Sequence, residues 1–154
     1  MIFALRSYRP DDFELLYALD QACYPRGIAY SRRTLRWFLS QPGTECLLAH
    51  AEDQPAAQLA GFILAEADES EAHIITIDVD QSFRRAGAGN ALLEEMERRL
   101  AARGARQISL ETATNNTAAV AFWQRQGYRS LGVLPRYYLN RLDAYFMQKR
   151  LSPG

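Results

Sequence analysis

The stretch Arg84-Arg85-Ala86-Gly87-Ala88-Gly89 lies between an apolar, strand-like run, Ile74 to Val79, and an amphipathic helical pattern from about Asn90 to Arg103. A strand that feeds a glycine-punctuated turn into a helix leaves a row of backbone N–H groups without intrahelical partners. Those donors and the positive end of the helix dipole form a site for phosphate oxygens. Glycine allows close approach of the backbone and angles that a side chain forbids. Two arginines at the mouth add charge. Without a ligand the same turn would be a tight junction with solvated arginines. The pattern favours the diphosphate of a cofactor.

The elements around this turn follow from periodicity and punctuation. Ile2 to Arg6 reads as a strand, and Pro10-Asp11-Asp12 opens a helix to about Ala22. Ser31 is an N-cap for a second helix, Arg32 to Leu39, which Gln41-Pro42-Gly43 ends. Glu45 to Ala51 and Leu59 to Glu66 pattern as a hairpin about Asp53-Gln54-Pro55, and an acidic connection leads to a fourth strand, Ala72 to Val79. Leu92, Leu93, Met96 and Leu100 mark the buried stripe of the long helix, with Gly104 as its C′ residue. A strand over 107–112, a helix over 117–126 capped by Asn116 and closed by Gly127, and strands over 128–133 and 144–149 complete the order. The expected fold is α/β: a mixed central sheet of about seven strands with about four helices on its faces.

Bulk properties narrow the function by exclusion. The length of 154 residues suits a single domain over 1–154 with a real core. Eighteen basic and eighteen acidic residues balance to zero net charge, so no global electrostatic case exists for a nucleic-acid or anionic-membrane partner. No apolar run approaches membrane-spanning length, and the N-terminal run is interrupted too soon for a signal peptide. Cys23 and Cys46 form no C-x-x-C and no Cys/His cluster, so no metal site is expected. Two unpaired thiols fit a reduced, cytoplasmic protein, either a monomer or a homodimer.

Three cofactor readings compete. A Walker A loop needs Gly-Lys-Ser/Thr, which is absent. A dinucleotide fold wants Gly-x-Gly-x-x-Gly after the first strand, whereas this turn follows the fourth and reads Arg-x-x-Gly-x-Gly. The turn resembles the acyl-CoA pyrophosphate loop of the GNAT superfamily of N-acetyltransferases. Thr76-Ile77-Asp78-Val79 before it, Leu110-Glu111-Thr112, and Asn116-x-x-Ala119-Val120-x-Phe122-x-x-x-Gln126-Gly127-Tyr128 fall where that family has its strands and following helix. With Tyr137-Tyr138 and Asp143-Ala144 the resemblance covers residues 72–150 closely, and residues 1–71 in element order. Within the superfamily the chain looks most like the ribosomal-protein-alanine and protein N-terminal acetyltransferases.

The resemblance implies a GNAT-like, splayed sheet and direct transfer of acetyl from acetyl-CoA to a primary amine, favouring a protein or peptide N-terminal α-amine. A small-molecule amine, a lysine side chain, or a CoA-binding module with little catalysis stay open. Arg84, Arg85, Gly87 and Gly89, with the N–H groups of Ala86, Ala88 and Asn90, would hold the diphosphate. Backbone of the strand around Ile77 and Val79 would bond the pantetheine arm, which Asn116 would also contact.

An amine attacking a thioester must lose a proton and passes through an oxyanion. Glu111, an acid inside an apolar strand, is the leading base candidate, though an edge-strand glutamate can be mere surface. His73, expected on the face shared by Ile75 and Ile77, is a second, with a surface role as its plain alternative. Asp78 is expected on the opposite face in a structural role. Trp123, counted by the resemblance with the cofactor-binding residues, stands where the family usually has a tyrosine acid; its indole donates a hydrogen bond but delivers no proton at ordinary pH. Tyr138 is a third catalytic candidate. Tyr137 and Tyr138, expected in the loop between the last strands, and Tyr24, Pro25 and Tyr30, after the first helix, would line the acceptor side.

Overall fold

A computed structural model describes residues 1–55 and 58–152. Seven strands form one sheet in the order β1-β2-β3-β4-β5-β7-β6. They are β1 (Phe3–Ser7), β2 (Thr44–Ala51), β3 (Gly61–Asp68), β4 (Glu71–Val79), β5 (Gln107–Ala113), β6 (Arg129–Tyr138) and β7 (Leu142–Arg150). Four helices cover it: α1 (Phe13–Cys23), α2 (Arg32–Ser40), α3 (Ala88–Ala102) and α4 (Thr117–Arg125). Pro10–Asp12 is a separate 3-10 turn before α1, and Arg6 bridges to Asp12 at 2.7 Å to fix that entry.

The two sheet faces bury different helices. Leu92, Leu93, Met96 and Leu100 of α3 pack on Leu47, Ile63, Ile74 and Leu110, joined by Trp123 of α4. Phe13, Leu16 and Leu19 of α1 and Leu35 of α2 pack on Leu48, Phe62 and Leu64 from the other side. Each such side chain contributes about 1.5–3 kcal/mol by leaving water. β2 and β3 are covered on both faces and are apolar throughout their centres. Ser31 accepts from Thr34 N and Asn116 from Ala119 N, so both predicted N-caps are formed.

Two irregularities position the site. β4 and β5 are parallel neighbours only at Glu71–His73 against Gln107–Ser109; beyond that the ladder ends and the strands part. Within β4, the register against β3 jumps from Leu64↔Thr76 to Ala65↔Ile74, leaving Ile75 as a bulge. The bulge reverses the alternation. His73 and Ile75 lie on the α1/α2 face, and after the bulge Thr76 and Asp78 lie there too. Ile77 and Val79 turn to the α3 face and pack on its core. The expectation that His73, Ile75 and Ile77 share one face, with Asp78 opposite, is therefore corrected at Ile77 and Asp78.

Candidate active site

At the α3 end of the split, the N–H groups of Ala88, Gly89 and Asn90 precede the first helical bond, Ala91 N to Gly87 O at 3.0 Å. No side chain caps them and no acid occupies the first turn. Gly87 has φ +97°, with nothing within 4 Å of a built Cβ, so the turn is open as well as left-handed. A Cβ on Gly89 would meet Phe122 at 3.3 Å, so α4 packs close to this helix start. Uncapped N–H groups at an open helix start fit a diphosphate. The cradle differs from expectation at Ala86, whose N–H donates to Phe83 O at 3.3 Å. Arg85 is exposed, and the Arg84 Nε donates to Val79 O at 3.2 Å.

Along the split the edge of β4 faces away from β3. Asp80 N donates to Ala60 O, which makes Val79 and, two residues back, Ile77 the pairs whose N–H and C=O point outward. A linear amide-bearing chain could bond such an edge. Side chains from the end of α1 and the loop after it already cap the carbonyls of β4: Tyr30 Oη donates to Ile75 O (3.5 Å), Tyr24 Oη to Ile77 O (3.1 Å) and Cys23 Sγ to Val79 O (3.5 Å). Burial, then the charge of Asp78, pushes the Cys23 thiol up to about 11, which leaves it a donor rather than a nucleophile.

Beneath these residues lies a polar cluster that sequence reading missed. Asp20 Oδ2 accepts from Tyr30 N at 2.7 Å, and Thr76 Oγ1 donates to Asp78 Oδ1 at 2.6 Å. Asp20 Oδ1 and Asp78 Oδ2 are buried and have no hydrogen-bond partner among the described residues. Burial, then the hydrogen bond and charge of Asp20, holds the Asp78 carboxyl well above the usual range. A proton on Asp78, donated to Asp20, satisfies both acids. The one available signal was an acid ending the apolar period of α1.

Glu111 faces this groove from β5. Its Oε1 lies 2.8 Å from His73 Nε2 and accepts from Tyr137 Oη at 3.3 Å, leaving Oε2 without a protein partner among the described residues. The structure thus joins three candidates that the sequence offered singly. Tyr138 packs edge-on against Tyr137, their centroids 4.8 Å apart, at the end of β6 rather than in a loop. Burial first, then the charges of Tyr137 and Glu111, raises the Tyr138 phenol above its ordinary value, so it stays protonated. Pro25 begins the turn that carries Gly27, where a Cβ would lie 2.5 Å from Leu139 Cδ2. The loop after α1 and the β6–β7 turn therefore meet and roof the groove. Trp123 is 5% exposed, edge-to-face with Phe122 and Tyr128. Asn116 spends its side-chain oxygen on the α4 cap.

The sequence profile of the acetyltransferase (GNAT) family matches residues 13–128. The chain belongs to the GNAT acetyltransferase family. Among GNAT relatives, the Escherichia coli [ribosomal protein bS18]-alanine N-acetyltransferase is 32% identical over 151 residues, 96% of this chain and 97% of that protein. An uncharacterized N-acetyltransferase of Methanocaldococcus jannaschii is 35% identical over 94 residues, and the match spans 60% of each chain. A crystal structure of Ard1 from Thermoplasma volcanium has the same GNAT fold, with TM-score 0.86, 25% identity and coverage of 99% of both chains. Acetyl-CoA is the cosubstrate of this GNAT domain. No helix among the described residues is long and apolar enough to cross a membrane.

Proposed function

We propose that this GNAT acetyltransferase moves acetyl from acetyl-CoA directly to a protein or peptide N-terminal α-amine. The observation that carries the reading is Glu111: a half-buried carboxylate with one free oxygen, set where the split between β4 and β5 meets a tyrosine-lined groove. On one side of the split, Ala88, Gly89, Asn90, Arg84 and Arg85 would hold the diphosphate, and the outward backbone of Ile77 and Val79 the pantetheine arm. On the other, Tyr24, Pro25, Tyr30, Tyr137 and Tyr138 would line the acceptor channel. The donor supplies an activated acetyl thioester. Glu111 Oε2 takes the amine proton, and the O–H donors offered beside it are Tyr137, 3.3 Å from Glu111 Oε1, and Tyr138, packed against Tyr137.

The name of the 32% identical relative supports the acceptor class. The enclosure of the groove by the Gly27–Leu139 contact also suits a chain end better than a long side chain on a folded surface. Two free cysteines, Cys46 of them buried, suit a single domain working in the reducing cytoplasm where acetyl-CoA is at hand. The second reading is a CoA-binding module with little turnover, which Trp123 favours by standing in place of a phenolic acid.

Thiol release measured over short peptides of varied N-terminus, and over small amines, separates the readings. We expect turnover on peptides, with Glu111→Gln lowering kcat by about 10²–10⁴-fold at unchanged acetyl-CoA affinity. Acetyl-CoA binding by calorimetry without turnover on any acceptor would select the module.

A further inference from the structure

At the closed end of the split one imidazole stands between two carboxylates. His73 is laddered to Glu66 on β3 and to Ser109 on β5, and all three side chains share a face with Glu111. Its Nε2 is 2.8 Å from Glu111 Oε1 and its Nδ1 is 3.6 Å from Glu66 Oε1. Side-chain exposure rises along this row, from 15% at Glu111 to 33% at His73 and 42% at Glu66. Beside the outer half a cavity of about 390 Å³ opens, bounded by Trp37, Glu66, Asp68, Glu71 and His73. His73 is the sole basic side chain of that lining. The row therefore runs from the reacting end to water.

The reaction needs such an acceptor. An α-ammonium and an acetyl thioester give an amide, a thiol and one proton. The C–N bond forms, the C–S bond breaks, one amine proton ends on sulfur and another must be taken up. A carboxylate in water is a weaker base than an α-amine by more than three pKa units, so the transfer is uphill by a factor of about 10³. An imidazole is within about one or two units of the amine and nearly matches it.

We infer that Glu66, His73 and Glu111 act as one relay, in which the amine proton crosses Glu111, comes to rest on the His73 imidazole, and leaves to water past Glu66. The inference rests on Glu111 being the base. The cycle starts from neutral His73 with its Nδ1–H toward Glu66, and Nε2 takes the proton that Glu111 receives. The imidazolium then presents an N–H to each carboxylate, and the two ring nitrogens stand 2.8 Å from Glu111 Oε1 and 3.6 Å from Glu66 Oε1. Burial pulls the His73 imidazole down, but the hydrogen bond and charge of Glu111, with Glu66 behind, more than offset it, so it rests above its ordinary value. The groups facing the ring are Glu66 from β3 and Glu111 from β5, with Glu71 and Asp68 across the cavity and Tyr137 behind Glu111. None adds positive charge.

His73 touches no substrate atom in this scheme and is a positioning residue. With saturating peptide, kcat should rise with pH through the titration of His73. Glu66→Gln should move that limb to lower pH, by about half a unit or more. His73→Ala should lower kcat about tenfold or more with KM for acetyl-CoA unchanged, and added imidazole should restore much of it through the adjoining cavity. Full kcat in His73→Ala would overturn the relay, as would a loss that imidazole leaves unrepaired in a variant that still binds acetyl-CoA. Should His73→Ala not fold, an unmoved limb in Glu66→Gln overturns it. Failure of the base assignment is separate, shown by Glu111→Gln retaining full kcat.

Discussion

Asp78 is 1% exposed and stands against Asp20, and the pair together can carry only one charge at modest cost. Its folded-state proton affinity is raised, so the native protein holds a proton that the unfolded chain releases above its ordinary value near 4. Stability therefore falls as pH rises from that value toward the folded one. His73 has the same sign: its contribution is complete below about 6.5 and is lost as pH climbs through its raised folded value. Asp78→Asn keeps a donor aimed at Asp20 at every pH. We expect it to raise the melting temperature by several degrees at pH 8.5 and by less at pH 5, measured by scanning calorimetry. Equal shifts at both pH values would mean that no proton is shared. Glu111 and His73 were legible as separate candidates from residue type and strand position. Their pairing was not, because it depends on which residues of β3, β4 and β5 stand side by side.

Helix ends carry most of what the sequence shows about the cofactor side. Gly87, Gly104 and Gly127 all have positive φ, at the start of α3 and just past the ends of α3 and α4, where punctuation predicted breaks. Gly87→Ala meets no steric obstacle but must hold a left-handed backbone, at about 1–2 kcal/mol. It should weaken acetyl-CoA binding severalfold in calorimetry while leaving the helix content of circular dichroism intact. Asn116→Ala removes the α4 cap, at about 1 kcal/mol of stability. Asn116→Asp should restore the lost stability, and an acetyl-CoA KM that stays raised in it assigns the pantetheine contact to the amide nitrogen. β6 was read too short, as 128–133, because Pro135 and the register shift between Leu134 and Tyr138 interrupt its pattern. An edge strand tolerates both, since its outer N–H groups need no partner in the sheet. That extension puts Tyr137 and Tyr138 on a strand end, better fixed than a loop.

On the scale of the molecule, the proposed reaction divides between the two faces of the sheet. The α3/α4 face would build the phosphate cradle and the α1/α2 face the acceptor groove, with the split between β4 and β5 joining them beside Glu111. Composition and element order gave this layered arrangement without difficulty. The splay itself left no mark in hydrophobic pattern, because β4 and β5 alternate buried and half-buried residues alike before and after they part. Ile75 sets which half of β4 serves which task. Its consequence is one of parity: His73 and Asp78 are an odd number of positions apart and would sit on opposite faces of a regular strand, yet the extra residue puts both on one. Ile75→Ala should fold and bind acetyl-CoA with modest loss, by thermal melt and calorimetry. Removing Ile75 altogether leaves Ala65 opposite Ile74 and Leu64 opposite Thr76, so alternation becomes strict while Asp78 keeps its face. A strand that tolerates many spellings at this position should survive the missing letter as well.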